Sequence, residues 1–483
     1  IAIITFSVPG TIDPEMDFFT YYTTTAMIKS DLAAEANTAA QPMVKLSVDA
    51  NCTVEAGIAI SGSDTVLTVR DKNGNPVSGA NVYIITGGQA DELIGTTDAD
   101  GRVIMTKTVS TNAGLTISVQ VKNGEHVSYK KAVLVLGAAG NSEGKPSAVK
   151  LPAVGDLRNS KTMTWLSNPN VAAGKAYVQY IRYSDYNNGQ CEFITVEGVS
   201  VLQAFNTSAT AALINCVVLT GLEADTEYCY RVGDGTDGHW SEVYSFRTAK
   251  AHGTIDFIVV GDTQLTGNAD EDREAIELLE RIAQSAGEKD FGIQTGDYVD
   301  NGGNSAMWEQ INDLFHSAFG GMSFIHTVGN HELMGDADAS AAEKFFALTG
   351  RGYYSVRQGD VYIATISLGH DLEEALSWLI EDANRSNARW KILVIHQPAY
   401  YTNVSGGNDR YHELVPAAAE AAGIDVVFSG HDHSYARTEP LLGGKVNENG
   451  VVYFICGDLG EKSRDANYAA VNNPDFHFAM VSQ

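Results

Sequence analysis

Two all-β sandwich modules followed by an α/β domain are what this sequence predicts, and three observations predict it. The first half sets Gly, Asn and Asp between short β-branched runs, the pattern of sandwich strands and turns. A linker by composition, Gly137-Ala-Ala-Gly-Asn-Ser-Glu-Gly-Lys-Pro-Ser147, divides that half in two. Near residue 253 apolar runs begin to alternate with helical segments, the signature of β-α units.

Residues 1–41 read as the trimmed edge of a longer chain. Ile1-Ala-Ile-Ile-Thr-Phe has no basic flank and no starting Met, so it is not a signal peptide. Residues 42–138 form the first module. There, Leu67 to Ile84 reads as a strand, an Asn73-Gly74 turn and a second strand. Thr97-Asp-Ala-Asp-Gly-Arg-Val-Ile is another turn into a strand; Asp98, Asp100 and Gly101 are an acidic turn, because the further ligands of a calcium loop are absent. Residues 147–250 form the second module, with Thr162-Met-Thr-Trp165, a Gly221-Leu-Glu-Ala-Asp-Thr-Glu-Tyr-Cys-Tyr corner and a closing Tyr244-Ser-Phe-Arg-Thr strand. Trp165 is assigned to its core.

Residues 253–483 form the α/β domain. Its predicted strands cover 254–260, 290–295, 323–328, 391–395 and 424–429. An amphipathic helix is predicted from Asn268 to Gly287, with Ile276, Leu279 and Ile282 on one face. Phe478 to Gln483 reads as a strand of a chain that continues.

Composition narrows the function. The net charge is −28 with no basic cluster, which argues against nucleic acid as a bulk partner. A phosphate site on such a surface must make its own positive field, and bound divalent metals would do that. No run approaches the ~18 apolar residues of a membrane helix. None of Cys52, Cys191, Cys216, Cys229 and Cys456 forms a CxxC, which excludes a zinc ribbon. Cys191, Cys216 and Cys229 leave two readings open, one disulfide or buried free thiols. The sequons at Asn51, Asn206 and Asn403 matter only in a eukaryotic secretory host.

The chemistry sits where the strands of the α/β domain end. Each closes in a polar burst: Gly261-Asp262-Thr-Gln264, Gly296-Asp297-Tyr-Val-Asp300-Asn301, Gly329-Asn330-His331-Glu332, His396-Gln-Pro and Gly430-His431-Asp-His433. Ligand sites in open α/β sheets lie beyond the carboxyl ends of strands. The preceding glycines are expected to turn the backbone sharply, so that the next side chain enters a crowded site. Carboxylate, amide and imidazole donors without thiolates suit Zn²⁺, Mn²⁺ or Fe rather than a structural zinc. Two metals about 3.5–4 Å apart need one shared ligand, and a carboxylate can be that ligand.

The order and content of these bursts resemble the calcineurin-like metallophosphoesterase superfamily. The flanking module, with its early Trp and tyrosine corner, is similar to a fibronectin type III-like domain in the form found in purple acid phosphatases. The first module resembles carboxypeptidase-regulatory-like, immunoglobulin-type modules of surface proteins. The resemblance implies an α/β domain of two sheets flanked by helices and a binuclear centre of divalent or trivalent ions (Zn, Mn or Fe). It implies that Asp262 and His433 bind the first metal, that Asp297 bridges, and that Asn330, His396 and His431 bind the second. It places His331 beside the substrate phosphate, as phosphate ligand or general acid, with a metal-bound hydroxide as nucleophile.

Two departures bear on this. Where the superfamily often has His, this chain has Gln264, which is either a weak metal ligand or a hydrogen-bonding neighbour of one. Where purple acid phosphatases have the Tyr that binds Fe(III), this chain has Asp300, expected instead to orient His331. Asn301 and His412 are candidate substrate contacts, although Arg410, Tyr411 and His412 also suit a solvated loop. His326 is assigned to the core and Tyr435 and Arg437 to structural roles. The implied reaction is hydrolysis of a small phosphate monoester. Its rivals are phosphodiester hydrolysis, as of nucleotides, and a non-catalytic surface adhesion or scaffold protein. Secretion or cell-surface placement, with attachment through regions outside this chain, follows from the resemblance and the tandem β-modules.

Overall fold

The computed structural model describes residues 59–457, apart from 86–90, 107–113, 115, 124–125, 129, 191, 252–254, 269, 271, 287–288, 349 and 402–408, together with strands at 47–48, 52–56, 471–473 and 479–482. The 1–41 segment, Asn51, Cys191 and Asn403 lie outside the described residues. The chain forms two compact units, Ile1–Gly137 and Ala138–Gln483.

The first unit is a two-sheet β-structure. Thr65–Asp71 lies between Cys52–Ala56 and Arg102–Met105, while Asn81–Ile84 lies between Glu92–Thr96 and Thr116–Asn123. Leu67, Val69, Val82, Val103, Val119 and Val121 fill one core. The Asn73-Gly74 turn forms, with Gly74 N donating to Asp71 O at 3.0 Å and Asn73 N to Asp71 Oδ1 at 2.8 Å. The strands on either side of it do not pair as a hairpin. Beyond the Arg70–Pro76 bridge Val77 N still donates to Val69 O at 3.0 Å, but Val69 N is taken by Gly101 O at 2.8 Å, and the chain crosses to the other sheet. At the second turn Asp98 Oδ1 accepts from Asp100 N and Arg102 N, so its carboxylate caps the turn.

The second unit opens with another sandwich. One sheet runs Ser147–Lys150, Ser160–Ser167, Thr210–Thr220 and Val199–Phe205; the other runs Ile194–Glu197, Tyr177–Arg182, Glu227–Gly233 and Tyr244–Arg247. Trp165 is fully buried in its core with Met163, Val178, Tyr230 and Phe246. Tyr228 makes the tyrosine corner, its hydroxyl accepting from Glu223 N at 3.0 Å. Cys216 and Cys229 are free thiols, so no disulfide joins that pair.

Every residue of Ser160–Ser167 is buried, which strict alternation would not give. The reason is that both faces of this strand are covered. Met163 and Trp165 face the sandwich core, whereas Leu166 joins the core of the α/β domain and Thr164 Oγ1 donates to Phe345 O at 2.8 Å. Strand pairing even crosses the junction: Ala153 N donates to Phe324 O at 2.7 Å and Phe324 N to Leu151 O at 3.1 Å.

The α/β domain is two sheets face to face with helices outside. Asp256–Val260, Phe291–Gln294 and Phe324–His326 are parallel, with Ala479–Ser482 antiparallel at the edge. The second sheet orders Tyr353–Gln358, Val361–Ile366, Trp390–Ile395, Val426–Ser429, Val452–Cys456, Tyr435–Arg437 and Val471–Asn473. Phe257, Val259, Ile293, Ile363, Val394 and Phe428 pack between the sheets. Leu372–Arg385 and Asp409–Ala422 cover the second sheet. Arg273–Ala286 and Ser305–Phe319 cover the first.

The helix expected from Asn268 begins at Arg273. Asp272 explains the late start: its carboxylate accepts from Thr266 N at 2.8 Å and Gly267 N at 3.1 Å, which stabilises a loop before the helix. Leu279 and Ile282 are fully buried and Ile276 is half-buried.

Tyr228→Phe should lower the stability of this unit by about 1 kcal/mol. Glu223 is exposed, so its freed N–H returns to water rather than being stranded. Urea unfolding followed by tryptophan fluorescence measures this. An unchanged midpoint would show that the corner hydroxyl contributes nothing.

Candidate metal centre

Asp262 and Asp297 each follow a parallel strand and a glycine, and both have left-handed backbones, with φ +50° and +52°. His431 and Gln264 are left-handed too, at +68° and +41°. The strain expected of the preceding glycines therefore sits largely on the site residues themselves; of Gly261, Gly296, Gly329 and Gly430, only Gly296 has positive φ. What those glycines mainly provide is clearance. A Cβ on Gly329 would stand 2.2 Å from Asp297 Oδ1, and one on Gly430 would stand 2.3 Å from Asp262 Oδ2. Non-Gly residues at positive φ cost of order 1–3 kcal/mol each and persist where their surroundings hold them.

Glu332 does much of that holding. Its Oε1 accepts from Tyr298 N at 2.7 Å and Val299 N at 3.1 Å, and its Oε2 from Gly329 N at 2.7 Å and Asp297 N at 3.0 Å. One fully buried carboxylate thus ties the Asp297 loop to the loop carrying Asn330 and His331. Burial and the Asp297 charge push its carboxyl up to about 7, against the pull of the N–H groups. Sequence reading gave Glu332 no role. The only signal was a Glu inside a burst already explained by its neighbours.

The six expected ligands converge. Asp297 Oδ2 lies 3.1 Å from His396 Nε2, and Asn330 Oδ1 lies 3.0 Å from His396 Nε2 and 2.9 Å from His431 Nδ1. Asp262 Oδ1 accepts from His431 N at 2.8 Å and lies 3.5 Å from His433 Nε2. His396 Nδ1 is 2.9 Å from the Thr295 carbonyl; protonated there, it leaves Nε2 facing the cluster. Donor atoms of Asp297, His396 and His431 lie within 4.8 Å of one another.

The electrostatics show what such a cluster needs. Burial alone would raise the Asp297 carboxyl, but the His396 charge and hydrogen bond hold it well below its usual range. Burial alone would lower His396, but the charge and hydrogen bond of Asp297, the Asp262 charge and the Thr295 carbonyl together push it up to about 10. Burial and the His396 charge lower His431. Asp262 Oδ2 and Gln264 Oε1 are buried without a hydrogen-bond partner. Buried oxygens of this kind are costly unless paired, and a cation would pair them. The donor set therefore fits metal ions.

Other expected residues fall in different places. His331 Nδ1 lies 2.7 Å from Asp300 O and 3.2 Å from Asp300 Oδ1, and its Nε2 lies 4.0 Å from Asp297 Oδ2. Gln264 Nε2 donates to Asp297 Oδ2 at 3.0 Å, which puts the amide against the central carboxylate. Asn301 Oδ1 instead accepts from Thr207 Oγ1 at 2.8 Å and Gly303 N at 3.0 Å, bracing a loop onto the sandwich. His412 is exposed on the first turn of Asp409–Ala422, with Nδ1 2.8 Å from Ala399 O. His326 is fully buried, stacked on Phe346 at 4.2 Å.

Residues 255–435 match the calcineurin-like phosphoesterase family, and residues 146–248 match the purple acid phosphatase N-terminal domain. The chain carries a calcineurin-like phosphoesterase domain behind a purple acid phosphatase N-terminal domain. Purple acid phosphatase 18 of Arabidopsis thaliana is 25% identical over 66% of this chain and 72% of its own length. The Fe(3+)-Zn(2+) purple acid phosphatase 12 of the same plant is 23% identical over 63% of this chain and 67% of its own. A solved purple acid phosphatase from yellow lupin (Lupinus luteus) seeds shares the fold, with a TM-score of 0.59 and 14% identity over 90% of this chain and 92% of its own.

Within this phosphoesterase domain, two variants separate ligand from scaffold. Asp297→Ala should abolish activity and remove at least one metal. Gly329→Ala alters no donor, yet its methyl would collide with Asp297 Oδ1, so it too should lose metal and at least ~10²-fold in activity. Metal analysis after purification without chelators checks both. Full metal content in Gly329→Ala would contradict the clearance argument.

Proposed function

We propose that this protein is a two-metal hydrolase of phosphate monoesters. The carrying observation is the convergence of Asp262, Asp297, Asn330, His396, His431 and His433 around buried carboxylate oxygens, one of them without a partner. Asp262 and His433 would hold one ion, Asn330, His396 and His431 the other, and Asp297 both. Bound there, the two ions supply charge for the phosphoryl oxygens and lower the pKa of an attacking water. Gln264 steadies Asp297 through its amide N–H and offers its free oxygen to the cluster. No helix among the described residues is long and apolar enough to cross a membrane, and the tandem β-modules suit a secreted or surface-held enzyme.

The remaining chemistry belongs to His331. With Nδ1 against Asp300, the ring is held so that Nε2 faces the cluster. Protonated at Nε2, it can give that proton to the leaving oxygen as the P–O bond breaks and the P–O bond to water forms. The Asp300 carboxylate, 3.2 Å from Nδ1, fixes the ring's orientation.

His331→Ala should keep both metals and slow hydrolysis by about 10²–10⁴-fold. The loss should shrink with a nitrophenyl ester, whose leaving group needs little protonation, and Asp300→Asn should be milder. Metal loss in His331→Ala would make this His a ligand. Matched mono- and diester substrates test the reaction class, and preference for the diester would overturn the monoester reading.

Colour gives an independent check. Tyr298 is the tyrosine beside Asp297, but its ring lies in the core and its hydroxyl donates to Asn312 Oδ1 at 3.0 Å. With Asp300 at the family's Tyr position and Tyr298 turned into the core, neither residue offers a phenolate for charge transfer. The metal-replete protein should be colourless and active with Zn²⁺, Mn²⁺ or Fe(II). A visible band that bleaches on reduction would contradict this.

A further inference from the structure

The sandwich sends one polar side chain deep into the α/β domain. Lys150, the last residue of Ser147–Lys150, is buried, and its Nζ donates to Tyr298 Oη at 2.8 Å. It also lies 3.9 Å from the centre of the Tyr298 ring and about as near to Phe346 (5.4 Å) as to Phe315 (5.5 Å). Tyr298 Oη passes the chain on to Asn312. An amine stripped of water is costly, and a Met of similar length would fill the space without that cost. Packing alone therefore does not account for a lysine here.

Tyr298 follows Asp297 directly, and Asp297 holds a backbone conformation that most residues avoid. Two anchors fix this loop. Glu332 grips the N–H groups of Asp297, Tyr298 and Val299 from one side. On the other, the Tyr298 hydroxyl is pinned between Lys150 and Asn312. Burial drives the Lys150 amine well below its usual range.

We propose that Lys150, supplied by the sandwich, is a positioning residue that holds the Tyr298 hydroxyl and through it the metal-bridging carboxylate of Asp297. This rests on the two-metal reading above. The sandwich then completes the metal centre from behind.

Lys150→Met and Tyr298→Phe, singly and together in the full chain, test this. Zn²⁺ affinity is measured by competition with a chromogenic chelator, beside thermal midpoint, kcat and KM. Each single variant should bind Zn²⁺ at least tenfold more weakly and lower kcat with KM within twofold, while the metal-free thermal midpoint holds or rises in Lys150→Met. The double variant should be no worse than the poorer single one, because both act through one contact. Affinity within twofold of wild type in Lys150→Met, whatever its midpoint, would overturn the proposal. Should Lys150→Met fail to fold, Tyr298→Phe decides alone by the same twofold criterion. Wild-type protein that binds no Zn²⁺ would instead overturn the two-metal reading and this inference with it.

Discussion

Four backbone N–H groups from two loops converge on the Glu332 carboxylate, and the arrangement of the site follows from that contact. The left-handed backbone of Asp297 is costly for a residue other than Gly and persists because its surroundings hold it. Its N–H bond to Glu332 and the N–H of His331 on its own Oδ1 fix the carboxylate between the two loops. From there it reaches Gln264 on one side and His396 on the other. Buried acids and histidines this close cannot all be satisfied by one another, and the orphaned Asp262 Oδ2 is the remainder that a cation would take.

The sandwich is part of this construction rather than an appendage. A strand buried on both faces, backbone pairing across Phe324, and contacts from Gln203 to Ser340 and Lys344 make one continuous body of residues 147–457. Ala148 N donates to Asp313 Oδ1 at 2.7 Å, which docks Ser305–Phe319 beside the strand carrying Lys150. Helix Ser305–Phe319 in turn carries Asn312, the other partner of the Tyr298 hydroxyl. Movement of the sandwich would therefore be felt directly behind the site.

Much of the fold and the cluster was legible because each rested on a local signal. Apolar runs ending in Gly-Asp or Gly-Asn-His announce strands whose carboxyl ends meet, and the order of the bursts suggested a shared centre. Features set by distant partners were not legible. The Asn73-Gly74 turn could be read, but not that the next strand joins another sheet, because the local pattern is that of a hairpin. The helix boundary at Arg273 was lost to Asp272, whose side chain competes with the helix. Glycine was read as a sharp turn where it mostly provides room for a carboxylate. Asn301 stood out because it sits in a burst, but its bond to Thr207, distant in sequence, could not be read. Lys150 gave no sequence signal and Glu332 only its place in a burst, since a buried charge looks like a surface one until the fold is known.

Whether Asp297 is the shared ligand of two ions can be seen by anomalous diffraction from crystals of the metal-loaded protein. Two anomalous peaks about 3.5–4 Å apart, with the Asp297 carboxylate between them, are expected. A single peak, or two peaks with Asp297 bound to only one ion, would contradict that assignment.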